Sequence, residues 1–119
     1  AQLLARIQAL DRRVVGPTQR RLGPLELDGD HLTIRGPRGE QALSSRDAQL
    51  LGYLADQDRI VSREDLLLDV WGYSRVDGVE TRAVDMHLVK LRRKLEAVYD
   101  GEVVETVRGA GYRLAASLR

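Results

Sequence analysis

The stretch Arg82-Ala83-Val84-Asp85-Met86-His87-Leu88-Val89-Lys90-Leu91-Arg92-Arg93-Lys94-Leu95, with the glycine-rich segment Val107-Arg108-Gly109-Ala110-Gly111-Tyr112 behind it, decides the fold. At about 100° per residue, Val84, Leu88, Leu91 and Leu95 fall within about 40° of one line, so this stretch reads as an amphipathic helix over about 80–97. Apolar runs at 103–108 and 112–114 flank Gly109-Ala110-Gly111, the pattern of a β-hairpin. The two glycines precede a strand and not a helix, which makes them a turn and excludes a dinucleotide-binding fingerprint.

Upstream, two helix starts repeat one signature. Ser44-Ser45-Arg46-Asp47 ahead of Leu50, Leu51 and Leu54 predicts a helix over about 45–56, with Ser44 as N-cap and Asp47 placed to reach back. Ser62-Arg63-Glu64-Asp65 ahead of Leu66, Leu67, Val70 and Trp71 predicts another over about 63–71, with Trp71 in the core and at most a short strand at Ile60-Val61. Residues 72–79 then form a loop longer than the three or four residues of a plain helix-turn-helix. Residues 24–43 alternate short apolar stretches with Asp28-Gly29-Asp30 and Gly36-Pro37-Arg38-Gly39, which predicts three short antiparallel strands. Gly16, Pro17, Gly23 and Pro24 mark a linker and a boundary near residue 20. Ahead of it, Leu3, Leu4, Ile7, Leu10 and Val14 give residues 1–14 a helical stripe with nothing to pack on. Residues 1–22 therefore read as a helix end plus linker, 23–119 as the domain proper, and the whole as a piece of something longer.

The chain has 119 residues, enough for one domain, and a net charge of +1, so bulk charge selects no polyanionic partner. Local charge is more informative. Residues 44–70 carry net −3, whereas Arg82, Lys90, Arg92, Arg93 and Lys94 against Glu80 and Asp85 give residues 79–95 net +3. With no cysteine and no apolar run near 18 residues, disulfides, thiolate metal sites and membrane spans are not expected, and the reading is a soluble cytoplasmic module without cofactor or metal. His31 and His87 lack the spaced partners of a zinc site. No nucleophile set or phosphate loop suggests an enzyme.

Three helices followed by a hairpin is the order of an α+β winged helix, whose third helix enters the DNA major groove. On the helix over 80–97, Arg82, Met86, Val89, Lys90 and Arg93 point away from the core, with His87 and Lys94 on one flank and Arg92 on the other. Apolar Met86 and Val89 among cations suit thymine methyls beside guanine and phosphate contacts. The alternative is a protein-interaction module using the same basic face.

Six colinear motifs then carry a resemblance: Leu43-Ser44-Ser45-Arg46-Asp47, Ile60-Val61-Ser62-Arg63-Glu64-Asp65-Leu66-Leu67, Val70-Trp71-Gly72-Tyr73, Arg82-Ala83-Val84-Asp85-Met86-His87-Leu88, Leu91-Arg92-Arg93-Lys94-Leu95-Glu96 and Thr106-Val107-Arg108-Gly109-Ala110-Gly111-Tyr112-Arg113-Leu114. Together they resemble the C-terminal effector domain of OmpR/PhoB-type response regulators over residues 23–115. The resemblance implies a bacterial two-component transcription factor that opens with a small antiparallel sheet. It implies base or phosphate contacts by Arg82, His87, Lys90 and Arg92, a minor-groove role for Arg108, and a polymerase-contacting loop at Tyr73, Ser74 and Arg75. It further implies tandem binding on direct repeats, and a receiver domain and sensor kinase as partners. Ala83 and Val89 depart from residues frequent in that family, which alters the expected target sequence and not the activity.

Overall fold

The computed structural model describes residues 19–74 and 81–118. Four antiparallel strands, β1 (Gln19–Leu22), β2 (Leu25–Asp28), β3 (Thr33–Gly36) and β4 (Gly39–Ala42), form one sheet in sequence order. Helices α1 (Ser45–Asp56), α2 (Arg63–Asp69) and α3 (Arg82–Glu96) follow, then a hairpin of β5 (Val104–Val107) and β6 (Gly111–Leu114). This is the α+β winged helix expected from the order of elements.

Residues 19–22, read as linker from the surrounding Gly and Pro, form edge strand β1, so the sheet has four strands and not three. The Gly23-Pro24 pair is a two-residue turn: Gly23 takes φ +60, Leu22 pairs with Leu25, and both leucines are buried. The helix expected over residues 1–14 lies outside the described residues. On the sheet's other face Arg21, Glu26, Arg35 and Glu40 stand in cross-strand register as alternating charges.

Both helix starts form as the sequence predicts. Ser44 Oγ accepts the Asp47 N–H at 3.0 Å while Asp47 Oδ2 accepts the Ser44 N–H at 2.9 Å, a complete capping box. Ser62 Oγ likewise accepts the Asp65 N–H at 3.0 Å. Helix α2 stops at Asp69, two residues short of the expected end. The Trp71 N–H bends back to the Leu66 carbonyl at 3.0 Å, and Gly72 takes φ +79, a left-handed conformation that ends a helix at little cost only for glycine.

Val84, Leu88, Leu91 and Leu95 of α3 are all buried, each contributing about 1.5–3 kcal/mol. The sheet closes against the C-terminal end of this helix. The Arg38 N–H donates to the Val98 carbonyl at 3.0 Å, and a Cβ at Gly36 would stand 2.5 Å from that same oxygen. Hairpin β5–β6 is held at its other side by Val61, which exchanges two backbone hydrogen bonds with Tyr112, at 2.7 and 2.8 Å. That bridge is the short strand expected near Ile60-Val61. It also explains Gly111, where a Cβ would lie 2.0 Å from the Val61 carbonyl oxygen.

Candidate nucleic-acid interface

Helix α3 presents three sectors, each set by the residue spacing. The core sector is the apolar stripe. Opposite it, Arg82, Met86, Val89, Lys90 and Arg93 are exposed, as the helical spacing predicts. Met86 and Val89 are 51% and 47% exposed, two of four large apolar side chains left open to solvent among the described residues. A cationic face with apolar side chains in its middle can approach base edges closely, since neither Met nor Val must shed a tightly held water shell. Arg108 is exposed in the turn between β5 and β6. Of the loop residues, Tyr73 and Ser74 are exposed, and Arg75 lies outside the described residues.

The flanks behave differently. His87, expected to touch nucleic acid, turns toward α1: its Nε2 lies 2.6 Å from Asp47 Oδ1, out of line for a regular hydrogen bond, and its ring meets Trp71 edge-on with centroids 5.5 Å apart. Trp71 packs half-buried against the core, with the Arg46 guanidinium 4.8 Å above its ring. On the opposite flank Arg92 Nη2 donates to the Val104 carbonyl at 2.7 Å and to Thr106 Oγ1 at 2.8 Å. His87 sits at about 300° and Arg92 at about 80° on the helical wheel. Those two directions are where α1 and the hairpin lie, so both side chains engage protein.

Two carboxylates organise these flanks, and neither stood out in the sequence as a site residue. Asp47 is only 2% exposed, and its Oδ2 accepts from Lys94 Nζ at 2.6 Å as well as from the Ser44 N–H. Burial pushes its carboxyl up, but the Lys94 ammonium and the Ser44 hydrogen bonds overcome that and hold it below the usual carboxylate value. Asp85, on the first turn of α3, accepts from the Tyr112 hydroxyl and from Arg63 Nε, the latter at 2.7 Å. Burial opposes its ionisation too, and those two donors outweigh it. Burial first, and the hydrogen bond to Asp85 second, push the Tyr112 hydroxyl up against the opposing effect of Arg63. Asp85 was detectable as the only acid between Arg82 and Leu95 in an otherwise basic stretch.

The family described as "Transcriptional regulatory protein, C terminal" matches residues 39–114. The chain belongs to this family. It is a C-terminal winged-helix effector domain of the OmpR/PhoB response-regulator type. It is 37% identical over 117 residues to the phosphate regulon transcriptional regulatory protein PhoB of Rhizobium meliloti (strain 1021), covering 95% of this chain and 51% of that protein. The chain thus spans about half the length of the curated relatives it matches. Among solved structures, the DNA binding domain of CpxR from E. coli superposes with a TM-score of 0.65 at 32% identity, covering 81% of this chain and 94% of that one. The Klebsiella pneumoniae RstA DNA-binding domain in complex with RstA box gives a TM-score of 0.67 at 30% identity, covering 82% and 96%. Among the described residues no helix is long and apolar enough to cross a membrane, and no cluster of three acidic or imidazole side chains could hold a metal ion.

Proposed function

We propose that this effector domain binds double-stranded DNA sequence-specifically, with α3 in the major groove and the β5–β6 wing at the minor groove, as the transcriptional output of a two-component system. The observation that carries the reading is the outward sector of α3: Arg82, Lys90 and Arg93 surround exposed Met86 and Val89 on a helix whose opposite side is fully committed to the core. Lys90 serves as a base reader and Arg93 as a phosphate contact. Arg108, at the wing tip, enters the minor groove, where narrow A·T tracts concentrate negative potential. Tyr73, Ser74 and Arg75 form a surface for RNA polymerase. Residues ahead of β1 join the effector to a receiver that a sensor kinase phosphorylates, and the whole acts in the cytoplasm on tandem direct repeats spaced near one helical turn.

The test begins by selecting bound sequences from random DNA and measuring affinity across salt concentrations. Lys90→Ala should cost about 1–3 kcal/mol on the selected site and relax preference at one position. Equal losses on selected and random DNA would reduce Lys90 to a phosphate contact. Absent or salt-insensitive binding would point to a protein partner for the same face.

A further inference from the structure

The recognition helix grips the wing at a single rung. Thr106 and Tyr112 are direct partners across β5 and β6, so their side chains project from the same side of the hairpin. Both are held by α3. Arg92 Nη2 binds Thr106 Oγ1 together with the Val104 carbonyl, and Asp85 Oδ1 binds the Tyr112 hydroxyl. Arg63 of α2 completes the second grip: it pairs with Asp85, and its guanidinium carbon lies 5.3 Å from the centre of the Tyr112 ring.

Asp85 and Arg92 are two turns apart on α3, about 10 Å along its axis. The Val61–Tyr112 backbone bonds and the buried Val104 and Leu114 anchor the base of the hairpin. The two side-chain attachments from α3, that far apart, add a hold on the opposite side and so set the hairpin's angle to the helix. Arg108 follows Thr106 by two residues, so the angle set at this rung is the angle at which the wing tip leaves the helix.

We propose that Asp85 and Arg92 are positioning residues for DNA recognition, setting the wing against α3 so that Arg108 and the outward side chains of α3 engage neighbouring grooves together. Arg92 then acts through the wing and not on a base: its Nη2 already serves two acceptors on the hairpin, and both bonds would have to break for that nitrogen to reach DNA. The recognition part of this proposal rests on the DNA-binding reading above, whereas the brace itself is a property of the free domain.

Two measurements separate the two. In free protein, residual dipolar couplings of the hairpin amides report the wing's orientation relative to α3. In Arg92→Ala, and in Thr106→Val, which removes one exposed hydroxyl and keeps a strand-compatible side chain, those couplings should fit a changed or broadened orientation while couplings from α1 to α3 stay as in the wild type. Unchanged hairpin couplings in both variants would overturn the brace. On DNA, affinity is measured for one half-site with A·T-rich or G·C-rich flanks. Arg108→Ala should lose the flank preference, Arg92→Ala should lose it to about the same extent, and the double variant should be no less selective than Arg108→Ala alone, since residues acting as one unit are not additive. If Arg92→Ala instead weakens both sites equally, about tenfold each, and adds fully to Arg108→Ala, Arg92 contacts DNA directly and the positioning role is wrong. If Arg108→Ala is itself indifferent to the flanks, the wing does not read the minor groove and the recognition claim falls, while the couplings still decide the brace.

Discussion

Asp47→Ala tests how α1 and α3 are locked together, and its cost follows from what the carboxylate touches. The Ser44 N–H loses its acceptor and half of the capping box disappears, a loss of about 1 kcal/mol. A charged hydrogen bond from Lys94 is also lost, nominally about 1.5–3 kcal/mol, but the Lys94 side chain is 34% exposed and its ammonium can recover water, which brings that down to about 1 kcal/mol. An acid in the first turn of α1 adds a few tenths of a kcal/mol through the helix dipole. The expected total is about 2–3 kcal/mol, a fall in Tm on the order of 10–20 °C for a domain of this size. Asp47→Asn keeps the volume and one acceptor but not the charge, so it should cost about half as much. Urea titration of the three proteins at neutral pH measures both values. A loss below about 0.5 kcal/mol for Asp47→Ala would refute the reasoning, since a group this buried cannot be bystander and anchor at once.

The pH dependence has a definite sign. Asp47's carboxyl sits lower in the folded domain than its ordinary value of 3.8, because Lys94 and Ser44 overcome the effect of burial. Its stabilisation is therefore complete above the unfolded value and is lost as pH falls through the folded one. The stability gap between wild type and Asp47→Asn should be constant near neutrality and shrink below about pH 4.

Glycine positions give a paired control. Gly111→Ala drives a Cβ to 2.0 Å from the Val61 carbonyl and should cost about 3 kcal/mol in a urea titration, whereas Gly72→Ala, at φ +79 with nothing within 4 Å, should cost only about 1 kcal/mol of backbone strain. Salt dependence of DNA affinity sorts the cations of α3: Arg93→Ala should lower the slope of log affinity against log salt by about 0.9, and Lys94→Ala should leave it unchanged because Asp47 holds that ammonium. Burial and the hydrogen bond to Asp69 push the Tyr53 hydroxyl up to about 12, so an ultraviolet titration should find it protonated at about pH 11 in the wild type and ionising earlier in Asp69→Asn.

What the sequence made legible was local. The capping box of α1, the Ser62 cap of α2, the core stripe of α3 and the glycine turn of the wing are decided by residues two to four apart, and each appears where spacing placed it. The strand β1 was hidden because Gly23-Pro24 looks the same as a linker end or as a two-residue turn, and only Leu25 across the turn, pairing with Leu22, chooses between them. The flanks of α3 were legible as angles but not as contacts. Helical spacing gives the direction of His87 and Arg92, yet what lies there depends on α1 and the hairpin, 40 residues before His87 in one case and 12 to 14 residues after Arg92 in the other. Asp47 hid for another reason. Its capping role accounted for it fully, so nothing in the sequence asked for its second role as counterion to Lys94.

This division of α3 bears on how a chain with net charge +1 can present a binding face for a polyanion. Of the five cations on the helix, Lys94 is neutralised by a buried carboxylate and Arg92 is spent on the wing. Arg82, Lys90 and Arg93 remain, and none of them forms an ion pair among the described residues. Several nearby acids are engaged elsewhere: Asp85 by Arg63 and Tyr112, Asp47 by Lys94, Asp65 by Arg59, Asp69 by Tyr53. The fold thus uses its internal pairs to hold the helix still while, among the described residues, the outward cations carry no ion pair. Rigid placement lowers the ordering cost that binding must otherwise meet, which is about 0.5–1.5 kcal/mol for each long side chain immobilised. On the proposed reading the braced flanks would serve affinity without touching DNA: they hold the backbone that carries Arg82, Lys90 and Arg93, so that ordering on binding would be confined to a few exposed side chains.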